Sequence, residues 1–478
     1  MIKLKDYTKL DELEDYNQLE GSVSTQEGNT DYKGFRSKDE FISKMLEIPK
    51  QNVIIFPKDD NDDNENASFS ILSSFNGWWT REYVGFLEVN GESIFIGSRF
   101  DANDTFYFTH YILSEALGLK ARLFPDMHVN VGIERILEEL LSIVFINQID
   151  FAYRKGIYRK YQTFEKNDPK IRGKIDIARH IRSNLLFNGN IAYSYREFTI
   201  DNEINRLILT AYDLLEKRCG ELLQYLTRTK REVLNYISQL RNKMQPASRQ
   251  ETKDLLKRVN RKIVHPFYKD WEAVRKTSLL ILRHMGIHIN DMTSHDTTGI
   301  LIDMNKIWEM YLEKVMRTNL PNIIWVNPQE KKFFLKRNSS FKMIYPDFCL
   351  YNNHQNNQQQ ERHLEMILDA KYKNSWESIA EYNEDVNKWP REDCFQLVSY
   401  MHIFACHKGG IICPVKQKKN TLQNFIEASI CSKGNKDEKF LVFPLKIPSN
   451  RENIGSFISD IKKNEKEFCK TIEESLQI

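Results

Sequence analysis

The chain has 478 residues, of which 41% are hydrophobic and 28% charged, enough for two or three folded domains and too apolar for an intrinsically disordered protein. A formal net charge of +3 excludes an overall polyanion or polycation. The longest apolar run, Leu140 to Ile146 broken only by Ser142, is far short of a bilayer span.

The N-terminus, MIKLKDYTKLDELEDY, lacks an apolar core of signal-peptide length, so a cytoplasmic location is expected. Seven cysteines form no C-x-x-C pair, which reads as reduced thiols. The first 70 residues are acid-rich, with Asp59, Asp60, Asp62, Asp63 and Glu65. This stretch is no EF-hand, because Asn64 stands at the sixth position and Ser70 at the twelfth. The runs NVIIF, YVGFLEV, ESIFIGSRF and DTFYFTHYIL alternate between turn residues and predict a β-rich domain over residues 1–130. Trp78 and Trp79 read as part of its aromatic packing.

Near Val131 the period changes. Ile133, Ile136, Leu137, Leu140, Leu141 and Val144 recur at helical spacing, and a second helix is expected from Asp201 through Ile204, Leu207, Ile208, Tyr212 and Leu215. Residues 131–295 therefore read as a mainly helical domain with a basic surface and a small β segment at GNIAYSYREFTI. Arg172, Lys174, Arg179 and Arg182 are candidates for tracking DNA phosphates, although a structural role on a solvated surface is the preferred reading. Arg196, Glu197, Asp201, Asn202, Asn205 and Arg206 look like a polar network tying strand to helix. His284 and His288 have metal-pair spacing, but Gly286 lies between them and a structural role is preferred.

Residues 296–478 open with an amphipathic helix, LIDMNKIWEMYLEKVMRT. Strand-like runs NIIWV, KKFFLK, MIYPDFCLY and HLEMILDAKYK follow, then a helix at REDCFQLVSYMHIFAC and strands GGIICPV and KFLVFPLKI. The expected fold class is multidomain α/β, with a mixed sheet in the C-terminal domain. The polar run NNHQNNQQQ reads as an exposed hairpin tip.

The chemistry gathers at two strand ends. Asp347 follows Pro346, and Asp369 and Lys371 close an apolar run. Strand period two puts the side chains of 369 and 371 on one face. Two carboxylates and a backbone carbonyl make a hard oxygen site suited to Mg2+ or Mn2+, and a neighbouring lysine can act on a water and steady negative charge. Asp393, Gln396 and Tyr400 share one face of the following helix. Glu309 lies beside the stripe Met304, Trp308, Tyr311 and Val315 on the preceding one.

The pattern P-D, D-A-K, Q-x-x-x-Y resembles the PD-(D/E)XK nuclease superfamily. RGKIDIARHIRSN, IAYSYREFTIDNEINRLI and IGSRFDANDTFYFTHYIL narrow the resemblance to the McrC / LlaJI family, over about Glu82 to Met401. The resemblance implies the endonuclease subunit of a prokaryotic, type IV-like McrBC restriction system, cutting double-stranded DNA in defence against foreign DNA. It implies an AAA+ GTPase (McrB-like) partner and dimerisation through larger complexes. Asp347 and Asp369 would hold Mg2+ or Mn2+ with the Ala370 carbonyl, Lys371 would serve the attacking water, and Glu309, Gln396 and Tyr400 would assist. No G-x-x-x-x-G-K-[ST] loop is present, so no nucleotide is expected on this chain and another chain would supply the motor. The N-terminal domain is the candidate for docking it. The alternatives are a non-catalytic adaptor that retains a degenerate nuclease fold and a stand-alone nuclease.

Overall fold

The computed structural model describes residues 2–476 apart from 21–34, 36, 51–52, 58–66, 103–105, 119–132, 187, 260, 285–297, 322–323, 338–339, 357–358, 418–423, 431–437 and 450–452. The acid-rich loop 59–66, the His284 side chain and His288 lie outside the described residues. The chain divides into two compact units: residues 1–133 with 294–478, and residues 134–293. The flanking segments expected as separate domains thus share one unit. Among the described residues, no helix is long and apolar enough to cross a membrane.

The first unit holds a five-stranded sheet in the order Ile2–Lys5, Glu92–Gly97, Tyr83–Val89, Thr298–Asp303, Val53–Phe56. The fourth of these corrects the sequence reading, which began a helix at Leu301. Gly299 to Asp303 pair with the Tyr83–Val89 strand, and the helix starts at Met304. Asp303 makes the switch, because its Oδ1 accepts hydrogen bonds from the backbone N–H groups of Asn305 (3.1 Å) and Lys306 (3.3 Å). The Tyr83–Val89 and Thr298–Asp303 strands approach so closely that only glycine fits at one site on each. A Cβ on Gly85 (φ +148°) would lie 2.2 Å from the Ile300 carbonyl oxygen, and one on Gly299 would lie 2.3 Å from that of Phe86.

The helix Met304–Asn319 buries Met304, Ile307, Trp308, Tyr311, Leu312, Val315 and Met316. Each such side chain stabilises the fold by roughly 1.5–3 kcal/mol. The hydroxyls of Tyr311 and of Tyr111, from the helix Tyr107–Ala116, both donate to Glu465 Oε1, at 2.7 and 2.6 Å. Glu465 belongs to the closing helix Ile454–Leu476, which the sequence reading did not identify.

A six-stranded mixed sheet follows the order Ile324–Pro328, Phe348–Asn356, Gln359–Ala370, Lys408–Lys416, Lys439–Ile447, Ile426–Ser429. The run MIYPDFCLY, expected as one strand, is two. Ser340–Ile344 ends before Pro346, which has no N–H to continue a ladder, and Phe348–Asn356 begins after it. The earlier piece pairs with Lys332–Arg337 as a separate two-stranded ribbon. A helix at Asn374–Tyr382 was also missed.

These two sheet systems meet at Arg99, whose side chain is fully buried. Its Nε donates to Glu377 Oε2 (2.8 Å), its Nη2 donates to the Tyr372 carbonyl (2.6 Å), and its Nη1 lies 3.6 Å from Asp6 Oδ1. The guanidinium carbon sits 4.5 Å from the ring centroids of both Phe100 and Tyr372. Burial alone would lower its proton affinity. Asp6, Tyr372 and Glu377 more than reverse that and hold it cationic, while burial raises the pKa of the Asp6 carboxyl.

The second unit pairs Lys160–Asp168 with Ile191–Thr199 over nine residues, with the short strand Lys174–Ile175 outside. Its helices include Glu203–Arg218, Arg231–Arg241 and Lys269–His284. Asn202 caps the first of these by accepting from the Asn205 N–H (3.0 Å). Asn205 is itself buried, and its amide donates to the carbonyls of Tyr158 (2.9 Å) and Ile200 (2.7 Å) while its Oδ1 accepts from the Tyr236 hydroxyl (2.9 Å). Of the six residues of the polar network expected from the sequence, Asn205 is therefore a satisfied core amide and Asn202 a helix cap.

Removing the Arg99 cation with Arg99→Met strands two buried acids, so thermal or urea unfolding should show a loss of about 3–5 kcal/mol, only partly restored by Arg99→Lys, which lacks the planar fork. A loss below about 1 kcal/mol would show that the cluster is not structural. Tyr236→Phe leaves Asn205 Oδ1 without its donor and should cost about 1–3 kcal/mol, read as faster amide exchange in the helix Glu203–Arg218.

Candidate active site

Asp347 stands at the start of its strand, one residue before Phe348, which faces Leu368 across an antiparallel pair. The start of one strand therefore meets the end of the other, and Asp347 comes level with Asp369. The polar stretch between them is taken up by two long strands and a bulge between Leu350 and Tyr351. Asp347 Oδ2 accepts from the Ala370 N–H at 2.7 Å. On its other side the Gln359–Ala370 strand runs parallel to Lys408–Lys416, and just past the strand's end the Lys371 N–H donates to the Ile412 carbonyl (2.8 Å), which anchors the backbone at residue 371.

Asp369 is 2% exposed. Lys371 Nζ lies 2.7 Å from Asp369 Oδ2. The ammonium is the close ionic partner of this buried oxygen. Lys371 Nζ also donates to Gln396 Oε1 (2.9 Å), and Gln396 Nε2 donates to the Tyr400 hydroxyl (2.8 Å). Asp393, the third residue on that helix face, is instead structural, accepting from Lys373 Nζ (2.7 Å) and Trp376 Nε1 (2.8 Å).

The acids interact strongly. Burial, then Asp369 and Glu309, push the Asp347 carboxyl well above the usual carboxylate range. Burial, then Asp369 and Asp303, push Glu309 up to about 7, with Lys371 and Lys306 pulling the other way. Burial opposes the charge of Lys371, but Asp369 and then Asp347 raise its proton affinity and hold it as the ammonium. The structure thus gathers Glu309, Asp347, Asp369, Ala370, Lys371, Gln396 and Tyr400 in one place.

Arg172, Lys174, Arg179 and Arg182 lie elsewhere, in the second unit. Arg172, Lys174 and Arg182 are exposed. Arg179 is committed internally, donating to Glu165 Oε2 (3.0 Å) and to the carbonyls of Lys166 (3.1 Å) and Tyr193 (2.6 Å). The same unit has an open polar hollow lined by Lys160, Thr163, Asp201, Glu203, Arg206 and Arg258, whose mixed charges define no chemistry.

Sequence reasoning missed Arg99 and Tyr372. Tyr372 follows Lys371 directly, its carbonyl is held by Arg99, and its hydroxyl lies 2.9 Å from Ser98 Oγ. No sequence signal joins positions so far apart.

Among the described residues, no group of three or more His, Cys, Asp or Glu is placed to hold a metal ion. The expected set is smaller, two acids and the Ala370 carbonyl. Its chemistry fits a hard divalent cation: all donors are oxygens, Asp369 is buried, and Asp369 and Glu309 raise the proton affinity of Asp347.

Fold and site define a multidomain α/β protein with an acid–lysine cluster where two strands meet at one end of a mixed sheet. The chain belongs to the family of McrBC 5-methylcytosine restriction system components, whose pattern it matches over residues 79–414. No curated protein matches it. Two solved structures are similar to it. One is a refined half-complex from the tetradecameric assembly of Thermococcus gammatolerans McrB AAA+ hexamers with bound McrC; it is 15% identical, with 98% of this chain and 99% of that chain covered and a TM-score of 0.43. The other is the cryo-EM structure of the Thermococcus gammatolerans McrBC complex, 16% identical over 67% of this chain and 88% of that chain, with a TM-score of 0.28.

A cation at this cluster binds the folded state alone, so millimolar Mg2+ or Mn2+ should raise the melting temperature of the wild-type chain, by the equivalent of about 2.7 kcal/mol at a hundredfold excess over Kd. Asp369→Asn should melt at the same temperature with and without the metal. An indifferent wild type would remove the cluster as a cation site.

Proposed function

We propose that the chain is the DNA endonuclease subunit of a McrBC-type restriction system, with a PD-(D/E)XK-type site in its mixed sheet. The observation that carries this reading is the convergence of Asp347 and Asp369, distant in sequence, with Lys371 2.7 Å from Asp369. Asp347, Asp369 and the Ala370 carbonyl would hold Mg2+ or Mn2+. The ion, when bound, polarises a phosphoryl oxygen and favours hydroxide over water. Lys371, paired with Asp369, is placed to act on the attacking water or to donate to the charge that develops on the phosphate. Gln396 fixes the lysine's position, and Tyr400 fixes Gln396. Glu309 adds negative potential at the same point.

The solved relatives pair McrC with McrB AAA+ hexamers, and we extend that to an AAA+ GTPase partner here. Its docking was expected on residues 1–130. The second unit offers a competing surface: Ile177, Ile181, Leu185 and Leu186 are 68, 57, 83 and 88% exposed, beside the exposed Arg172, Lys174 and Arg182.

The test is a complex with the AAA+ partner, GTP, Mg2+ and double-stranded DNA. Asp369→Ala and Lys371→Ala should each lower cleavage by about two to three orders of magnitude, with complex formation and GTPase stimulation unchanged. If both variants still cut, the site is wrongly placed. If the wild type stimulates the GTPase but never cuts, the chain is an adaptor.

A further inference from the structure

The ribbon Lys332–Arg337 and Ser340–Ile344 belongs to neither large sheet. Its sequence with flanks, KKFFLKRNSSFKMIY, carries Lys331, Lys332, Lys336, Arg337 and Lys342 and no acid. Its apolar side chains face solvent, with Phe333, Leu335 and Phe334 being 64, 57 and 44% exposed. A two-stranded ribbon with no core of its own is marginal in water, so its apolar exposure points to a partner surface.

The base of the ribbon is fixed to the acid cluster. The Gln329 N–H donates to the Asp347 carbonyl (3.0 Å), and Ile344 leads through Tyr345 and Pro346 into Asp347. Lys332 Nζ donates to the Ile403 carbonyl (3.3 Å) and lies 4.5 Å from the Phe404 ring, at the end of the helix that presents Gln396 and Tyr400. Aromatics and cations interleave along it: Lys336 lies 5.4 Å from the Phe341 ring, which packs 4.8 Å from that of Phe333.

We propose that this ribbon is a DNA-contacting arm that seats the duplex against the acid cluster, its lysines on phosphates and its exposed aromatics against sugars or base edges. A major groove about 12 Å wide admits a two-stranded ribbon. The charge decides between occupants: a second copy docking through the same face would set like charges against one another, whereas a polyanion neutralises them. The proposal rests on the nuclease reading, which supplies the reason for DNA to lie here.

The test uses the chain in complex with its AAA+ partner, a fluorescent duplex, and Lys331→Gln, Lys336→Gln and Lys342→Gln combined. Loss of three phosphate contacts should reduce the slope of log K against log salt by about 2–3. Cleavage should fall at moderate salt and recover at low salt. The matching triple Lys→Arg variant should keep the wild-type slope, which separates charge from misfolding. Asp369→Ala should bind DNA with the wild-type slope and not cut, so binding and chemistry fail separately. An unchanged slope in the Gln variant overturns the proposal. So does an unchanged slope accompanied by loss of self-association or of motor binding, which would assign the ribbon to a protein interface.

Discussion

A single buried cation organises the larger unit. Arg99 lies in the turn two residues past the strand Glu92–Gly97 and reaches the Tyr372 carbonyl, just past the end of the strand that carries Asp369, and Glu377 in the helix that follows. Removing a guanidinium from water is costly, and only near-complete pairing with carboxylates, a carbonyl and aromatic faces offsets it. The pairing has a positional consequence. Tyr372 is pinned on one side by Arg99, and residue 371 is pinned on the other by the Ile412 carbonyl. The backbone under Lys371 therefore has little freedom, and its ammonium is aimed by the fold before any ligand arrives.

The acid cluster is built on the opposite principle, with its charges left in tension. Asp369 and Glu309 raise the proton affinity of Asp347, Asp369 and Asp303 raise that of Glu309, and Lys371 pulls Glu309 the other way. Carboxyls that burial and their neighbours push toward the neutral acid are groups whose ionised form an incoming cation would favour. The contrast with Asn205 in the second unit is instructive, since its amide donates to two carbonyls, its oxygen accepts a hydroxyl, and nothing is left for a ligand.

Much of the site was legible because it is written in local patterns. Pro346 before Asp347, the apolar run ending at Asp369, the period-two step to Lys371 and the four-residue step from Gln396 to Tyr400 are short-range features, and antiparallel pairing joined them. Other features had readable signals that were passed over. Asp303 is an ordinary N-cap, and it separates a strand from the helix with which it was merged. Pro346 marks the break between two strands for the same kind of reason. Trp376, Ile379 and Ala380 carry helical spacing in the missed helix. What could not be read was long-range: that Thr298–Asp303 joins a sheet begun at residue 2, and that Arg99 reaches Glu377. These depend on tertiary pairing, which leaves no mark in a window of neighbouring residues.

The placement of Thr298–Asp303 also sets a timetable for the growing polypeptide. This strand lies between Tyr83–Val89 and Val53–Phe56, and the latter has no other neighbour in the sheet. Translation proceeds from the N-terminus, so the first sheet must wait, incomplete and with apolar edges unpaired, while residues 134–293 are made and folded. The inserted unit is synthesised in full before the strand that joins the two halves of the sheet leaves the ribosome.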